Sequence, residues 1–405
     1  MLDLAVLSRP KTQSDVLDLI QQAAERKEPV EVVGQGSRRG VGHHVDAAHV
    51  LDLSELSGVI SYEPDELVLT AKAGTSLAEI ERLLAAEKQE LAFEPIDHGL
   101  LFGHPAGRGT LGGVIASNAS GPRRLKAGAA RDHVLGVHAV SGRGEAFKSG
   151  GRVVKNVTGY DLSKGMAGSW GTLAVITEIS VKVLPRAETS ATIAIMGLDD
   201  KAGVAALCAA MGSAAEISGA AHIPAAVAAN LPVAELQGAS CTLMRLEGFE
   251  PSVVYRAGRV AEMFATAGEI VRVDADASAK LWRSIRDVEP FAGLSTPLWR
   301  FSVTPMEAPA IVDALARQFA FRHVYDWSGG LIWLEPVDAP SHGHASVIRA
   351  AIQARGGGHA TLIRSANVTE NVPRFEPQPA ALAGLSQRLK EGFDPLNILN
   401  PGRMG

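Results

Sequence analysis

The chain has 405 residues, of which 46% are hydrophobic and 20% charged, and a net charge of −5. That length exceeds one ordinary core and predicts two domains, while the charge balance excludes a bulk attraction to nucleic acid or anionic lipid. Cys208 and Cys241, the two cysteines, supply no cluster for zinc or iron–sulfur ligation, and nothing supports a disulfide between them. The first residues, MLDLAVLSRP, lack the basic and apolar regions of a secretory signal, and no stretch is apolar for long enough to span a bilayer. A cytoplasmic location is expected, with any membrane attachment made through partners.

In chain order, residues 11–28 read as a helix. Thr12 and Asp15 have capping-box spacing, and Val16, Leu19, Ile20 and Ala23 make one apolar face. Residues 30–33 read as a strand, followed by Gly34-Gln35-Gly36-Ser37-Arg38-Arg39. The glycine pair invites a Rossmann reading, with Asp52 downstream. Two features oppose it: Arg39 stands where the third glycine belongs, and the following residues lack helical periodicity, so no crossover helix is expected. A tight loop with a hydroxyl and two arginines is still a candidate anion site, the alternative being a surface turn with solvated arginines.

Residues 50–53 and 67–73 read as strands, and Ser76 with Glu79 opens a helix to residue 88 whose inward side chains are Ile80, Leu83 and Leu84. Residues 107–121, GRGTLGGVIASNASG, follow. Their glycines let the backbone turn and leave no side chain in a ligand's way, and no carboxylate bars a polyanion from the backbone N–H groups. Residues 134–140 and 146–148 form a predicted hairpin, residues 150–161 a second polar loop, and residues 173–184 a strand with Ile179, Val181 and Val183 on one face and Glu178, Ser180 and Lys182 on the other. Beyond residue 188, seven predicted strands (189–196, 241–247, 270–273, 298–303, 322–327, 331–335 and 360–364) alternate with helices at about 251–267, 276–289, 308–319 and 344–355. A last helix spans residues 380–392. No internal repeat is legible.

These segments together resemble the PCMH-type FAD-binding domain of the vanillyl-alcohol-oxidase family. The motifs are VVGQGS at 32–37, GTLGGVIASNASG at 109–121, DHVLGVHAVSGRGE at 132–145 and the run 155–185. The tail FDPLNILNPGRM at 393–404 is similar to that of bacterial glycolate oxidase and D-lactate dehydrogenase flavoproteins. Five weak motifs in the right order make one strong match. The resemblance implies an α+β fold: a two-part PCMH-type FAD-binding domain over 1–187, an α+β cap domain with a mainly antiparallel sheet over 188–370, and a C-terminal helix and tail, 371–405, returning to the FAD domain. Carried over by position, Gly34, Gly36, Ser37 and Arg38 would face the pyrophosphate. Thr110, Gly112, Gly113, Ser117, Asn118, Ser120 and Gly121 would line the pyrophosphate, ribityl chain and flavin, and Gly171, Thr172, Ala174, Val175 and Ile176 would lie near the adenine and its ribose. Relatives with covalent flavin carry a histidine in the first loop. Gly36-Ser37 stands there, with His43 and His44 beyond, so FAD is expected to be non-covalent.

Residues 280–291 and 298–305 are similar to the FAD-binding subunits of bacterial glycolate oxidase. That likeness implies oxidation of glycolate or a related small 2-hydroxy acid, with a catalytic flavoprotein and an iron–sulfur subunit as partners. The histidine-rich motif of the related catalytic subunit is missing, which argues against a self-sufficient D-2-hydroxy-acid (D-lactate) dehydrogenase but leaves a non-catalytic, flavin-stabilised structural subunit open. His342-Gly343-His344 lacks a third ligand nearby, so no metal site is expected. For the substrate carboxylate the candidates are Arg286, Arg300 and Arg364, each set among apolar residues, and the alternative for each is an ion pair with Asp or Glu. Lys155 and Tyr160 share that ambiguity, and no catalytic base is identifiable.

Overall fold

The computed structural model describes residues 6–152, 160–293, 295–338, 340–369 and 371–405. It begins with a strand, β1 (Val6–Ser8), and a helix, α1 (Gln13–Arg26), whose ends are set locally. Thr12 Oγ1 accepts from the Asp15 N–H, the Asp15 carboxylate accepts from the Thr12 N–H, and Lys27 closes the helix in the left-handed region. Two further strands, β2 (Val30–Val33) and β3 (His49–Asp52), complete a parallel sheet in the order β1-β3-β2. A loop joins β2 to β3 without a crossover helix, as the missing periodicity of that stretch predicts.

The chain divides into two units. Unit 1 comprises Met1–Ser120, Gly128–Arg186 and Pro377–Gly405, and unit 2 comprises Gly121–Ala127 and Ala187–Glu376. Unit 1 holds a second sheet, antiparallel throughout, made of β4 (Val59–Glu63), β5 (Val68–Lys72), β6 (Val134–Ser141), β7 (Ala146–Gly150) and β8 (Ala174–Lys182) in the order β4-β5-β8-β6-β7. Two helices, α2 (Leu77–Ala86) and α3 (Leu111–Ser117), join Leu69, Ile179 and Val181 in one core through Ile80, Leu84, Val114 and Ile115. Val140 and Val175, from the other face, join Val16 and Ile20 of α1 and Val30 of β2. Since β8 is central it is buried on both faces: Ser180, expected on the polar side, is buried and bonded to Thr70 at 2.8 Å.

The C-terminal tail is part of this unit. Helix α9 (Ala380–Phe393) leads to Asp394, whose buried carboxylate accepts from the Ile398 and Leu399 N–H groups and from Lys390 Nζ at 2.6 Å. So held, the tail runs along β2. The Val30 N–H donates to the Ile398 carbonyl, the Asn400 N–H donates to the Val30 carbonyl, and Asn400 Oδ1 accepts from the Val32 N–H.

Unit 2 is an eight-stranded antiparallel sheet built from two copies of one motif. The first is β9 (Thr189–Met196), α4 (Asp200–Met211), β10 (Gly219–Ile223), β11 (Cys241–Gly248), α5 (Glu250–Met263) and β12 (Glu269–Val273). Helix α6 (Ala275–Arg286) leads to the second: β13 (Leu298–Val303), α7 (Ala308–Ala316), β14 (Phe321–Asp326), β15 (Leu331–Pro336), α8 (Ala345–Gln353) and β16 (Gly358–Arg364). The sheet order is β12-β9-β11-β10-β14-β15-β13-β16, so each half reads fourth-first-third-second from its outer edge. The halves meet between β10 and β14 at a single registered pair, His222 with Tyr325. Each half has its own core. Ile193, Leu207, Met244, Leu246 and Val260 fill the first, and Trp299, Phe301, Ile311, Ile332 and Ile348 the second.

The repeat is therefore real in topology although no sequence repeat shows it. Its second strand and first helix, β10 and α4, went unread because Gly219-Ala220-Ala221-His222-Ile223 does not alternate and Asp200–Met211 is alanine-rich without a polar face. β1 and β4 are short and were also missed. Cys208 and Cys241 are free thiols, and among the described residues no helix is long and apolar enough to cross a membrane. The predicted polar loop falls largely on residues 153–159, outside the described residues, as does Lys155; Tyr160 is exposed.

Two stability predictions follow from buried charges. Asp394→Ala would leave Lys390 half-enclosed without its counter-charge and two tail N–H groups without acceptors, so a loss of about 3–5 kcal/mol is expected in urea unfolding. In unit 2, Glu247 takes the Arg123 fork at 2.8 and 3.0 Å, which ties residues 121–127 to β11. Burial raises the Glu247 pKa, but Arg245 and Arg123 outweigh it and hold the carboxyl down at about 2, below the usual glutamate range. A depressed carboxyl stabilises the fold above its unfolded pKa, so at most about 3 kcal/mol is present above pH 4.5 and is lost as pH falls toward 2. The stability difference between wild type and Glu247→Gln should shrink across that window.

Candidate functional site

A cleft of about 740 Å³ opens in unit 1 where β2 ends. Its first wall is the loop 34–38. Gly36 sits at φ 76°, a conformation glycine adopts without strain, with open space where a side chain would project. The turn closes through the Arg39 N–H on the Gly36 carbonyl. Among the described residues, no acceptor takes the backbone N–H of Gln35, Gly36 or Ser37. Three successive donors facing a cleft suit a ligand with neutral or anionic oxygens. Arg38 is buried, donates to the Ile96 carbonyl, and points toward Gly113.

The second wall is the first turn of α3, where the sequence expectation needs correction. Residues 111–117 are helical rather than a loop, and their N–H groups are not free. Leu111 donates to the Thr75 carbonyl, Gly112 to the Ala73 carbonyl at 2.8 Å, and Gly113 to Thr110 Oγ1. The glycines serve close approach. A Cβ on Gly112 would lie 2.9 Å from Ala73, and one on Gly34 would lie 2.5 Å from Thr110 Oγ1, so glycine lets the two walls meet. Gly112, Gly113, Ala116 and Ser117 form a flat floor, and Ser117 turns its hydroxyl back to the Gly113 carbonyl at 2.7 Å.

Of the candidate cofactor residues, Gly34, Gly36, Ser37, Arg38, Thr110, Gly112, Gly113, Ser117, Gly171, Ala174 and Ile176 line this cleft. Five do not. Asn118 caps α3 at φ 49° and accepts from the Arg131 N–H through Oδ1. Ser120 Oγ accepts from the Ala130 N–H, and Gly121 belongs to unit 2, where its carbonyl accepts from the Trp327 indole. The Thr172 hydroxyl donates to the Ser169 carbonyl. Val175 lies on the opposite face of β8 from Ala174 and Ile176, because side chains alternate along a strand, and it packs under α1.

Arg403 is a charged cleft residue that sequence reasoning passed over. It is buried, donates to the Arg39 carbonyl at 2.9 Å, and lies 3.8 Å from the Glu31 carboxylate. Among the described residues its Nε has no hydrogen-bond partner. Burial pushes its pKa below the ordinary value, Arg39 adds to that, and Glu31 opposes it. The signal was present in the NPGRM tail, but only the pairing of that tail with β2 brings the arginine to the loop. Trp170, at φ 54°, completes the rim; its carbonyl accepts from Asn400 Nδ2.

The candidate substrate arginines separate cleanly. Arg286 is taken by a fork with its neighbour Asp287 at 2.6 and 2.9 Å. Arg364 is buried, donating to Glu335, the Thr296 carbonyl and the Phe291 carbonyl. Both are held by carboxylates of the chain itself. Arg300 makes neither hydrogen bond nor ion pair among the described residues. His344 is held by Asp338 at 3.0 Å and stacked on Phe319, and the described residues include no group of three or more potential metal ligands.

Comparison with known proteins agrees with this geometry. A family model described as an FAD binding domain matches residues 4–150. Glycolate oxidase subunit GlcE of Escherichia coli (strain K12) is 35% identical over 391 residues, covering 96% of both chains. A D-lactate dehydrogenase of Archaeoglobus fulgidus is 32% identical over 47% of this chain and 41% of its own. Glycolate oxidase subunit GlcD of Bacillus subtilis is 28% identical over 45% and 38%. Among solved structures, p-cresol methylhydroxylase with substrate bound superposes with a TM-score of 0.74 at 14% identity, covering 98% of this chain and 88% of that one, which shows a shared fold.

The cleft fits a dinucleotide carrying a diphosphate: among the described residues it has three N–H donors without an acceptor and a buried arginine whose Nε has no partner, over a floor of glycines and small side chains. Arg403→Met keeps the stem and removes the charge, so FAD affinity of the reconstituted apoprotein should fall by about 10-fold or more, read by flavin fluorescence titration. Gly112→Ala should lower the melting temperature, because its Cβ would meet Ala73 at 2.9 Å.

Proposed function

Because this chain belongs to the PCMH-type FAD-binding family of oxidoreductases, we propose that it is the FAD-binding subunit of a glycolate oxidase complex, taking part in oxidation of glycolate or a related 2-hydroxy acid to the 2-oxo acid. The observation that carries this reading is the extent of the match to the Escherichia coli subunit. It runs over 96% of both chains, so it takes in the repeat-built second unit as well as the cleft, whereas the dehydrogenase matches cover less than half of this chain.

Bound FAD supplies a two-electron acceptor. The chain's own residues hold and orient it. The N–H groups of Gln35, Gly36 and Ser37 and the Arg403 guanidinium receive the diphosphate, and Gly112 and Gly113 admit the flat remainder of the cofactor. Gly171, Ala174 and Ile176 line the cleft beyond. We assign cofactor binding to residues 1–187 together with the tail 371–405, and substrate or partner docking to residues 188–370. FAD is held without a covalent link: Gly36-Ser37 occupies the place of the linking histidine, and neither His43 nor His44 lines the cleft. The partners are a catalytic flavoprotein and an iron–sulfur subunit, and the complex works in the cytoplasm, at the membrane only through those partners.

The test uses the purified full chain and, separately, the chain with its partner subunits. Acid precipitation should release stoichiometric FAD into the supernatant. Anaerobic glycolate should bleach the flavin bands only when the partners are present. Bleaching of the isolated chain would favour a self-sufficient dehydrogenase, and a colourless purified chain would remove the central claim.

A further inference from the structure

One side chain of the C-terminal tail is shared between the first wall of the cleft and its floor. Asn400 is buried and sits at φ 41°, in the left-handed region that asparagine tolerates better than most residues. Its backbone pairs with β2 and turns toward Arg403. The N–H donates to the Val30 carbonyl at 3.0 Å, and the carbonyl accepts from the Arg403 N–H at 3.2 Å. Its side chain is engaged at both ends. Oδ1 accepts from the Val32 N–H at 2.8 Å, and Nδ2 donates to the Trp170 carbonyl at 2.7 Å. These partners fix the orientation of the amide, since a backbone N–H can only donate and a carbonyl can only accept.

The two bonds reach different parts of the cleft. Val32 stands two residues before Gly34, at the root of the loop that carries the N–H groups of Gln35, Gly36 and Ser37. Trp170 stands one residue before Gly171 and is tied to the floor, because its own N–H donates to the Ala116 carbonyl of α3 at 2.9 Å. One carboxamide therefore links the first wall to the floor, while its backbone starts the turn that delivers Arg403. The approach is close: a Cβ on Gly171 would lie 2.8 Å from Asn400 Nδ2 and 3.7 Å from the Val32 side chain. Asn400 does not itself line the cleft and carries no charge, so it adds nothing to the attraction of an anion. What it fixes is spacing. The charged groups on the elements around it are paired: Lys390 of α9 with Asp394, and Arg39 and Arg403 with Glu31 of β2.

We propose that Asn400 is a positioning residue for the FAD cofactor, its amide setting the gap between the diphosphate donors and the floor so that one ligand meets both. The inference rests on the reading of the cleft as the FAD site. Asn400 acts through Val32, Trp170 and Arg403 rather than by touching the cofactor.

Titration of FAD into the apoprotein, read by flavin fluorescence, tests this. Asn400→Asp keeps the shape and the Val32 bond, but an ionised carboxylate sets an oxygen against the Trp170 carbonyl. At about pH 8 it should bind FAD about 10-fold more weakly than wild type or worse. A protonated carboxyl donates where Nδ2 did, and burial and the facing carbonyl favour that neutral form, so the deficit relative to wild type should shrink as pH falls toward about 5. Asn400→Gly removes the amide at a backbone conformation that glycine adopts freely, and its deficit should be the same at both pH values. Thr70→Val breaks the buried bond to Ser180 in the same unit, and should lower the melting temperature with FAD affinity unchanged. Wild-type affinity at about pH 8 in either Asn400 variant would overturn the assignment. So would a deficit in Asn400→Asp that does not change with pH, or an equal loss of affinity in Thr70→Val. Wild-type apoprotein that takes up no FAD would overturn the reading of the cleft itself, and the positioning role with it.

Discussion

The pairing of the C-terminal tail with β2 is the constraint on which the cleft depends. β2 delivers the loop 34–38, and one edge of β2 would carry unsatisfied backbone groups at Val30 and Val32 without a partner. Residues 398–400 supply one, from the far end of the sequence. The tail takes its course because Asp394 gathers the Ile398 and Leu399 N–H groups and Lys390 Nζ around a buried carboxylate. That carboxylate sits where a side chain on Gly142 would be, so the hairpin between β6 and β7 must turn through glycine for the tail to lie down. The same strand pairing that completes the small sheet carries Arg403 to the cleft.

The two glycine-rich stretches do different physical work. In the first, glycine permits a positive φ at residue 36 and leaves successive N–H groups unbonded. In the second, every N–H from Leu111 to Val114 is already bonded within the protein, and glycine serves to bring a helix against Ala73. A motif rich in glycine thus marks either a donor array or a packing surface, and only the bonding of its backbone tells which. The floor made by the second stretch is as necessary as the donors of the first, since a flat ligand can approach only where side chains are absent.

Unit 2 shows how a duplicated motif can diverge in charge while keeping its topology. Both halves carry an arginine over a tryptophan, on the face away from α4 and α5 in the first and from α7 and α8 in the second. In the first, Glu247 and Ser218 settle the charge, and Arg123 draws residues 121–127 into the same ion-pair group. In the second, the buried Glu335 is engaged by Arg322 and Arg364, and Arg300, stacked near Trp327 and Trp333 and influenced by Arg124 and Asp326, forms no ion pair among the described residues. A guanidinium tolerates that setting better than an ammonium would, being weakly hydrated and able to stack.

The sequence by itself determined the local structure and the family. The Thr12–Asp15 capping box, the strand at 30–33, the absence of a crossover helix after it, the alternation of β8 and the helix at the C-terminus all follow from neighbours within a few residues. Cofactor class followed from motif order, which is also local information summed along the chain. What the tertiary structure alone decided was which donors are free and which charges are met. Arg286, Arg300 and Arg364 look alike in sequence, and their partners separate them: Asp287 is adjacent to the first, Glu335 lies on another strand from the third, and Arg300 meets two indoles and forms no ion pair among the described residues. Val175 and Ile176 are equally apolar, yet the pleat sends one beneath α1 and the other to the cleft. The repeat was hidden because a strand of glycine and alanine and a helix apolar on all sides carry no period. Arg403 was hidden because it stands 365–369 positions from the loop 34–38, and only strand pairing closes that distance.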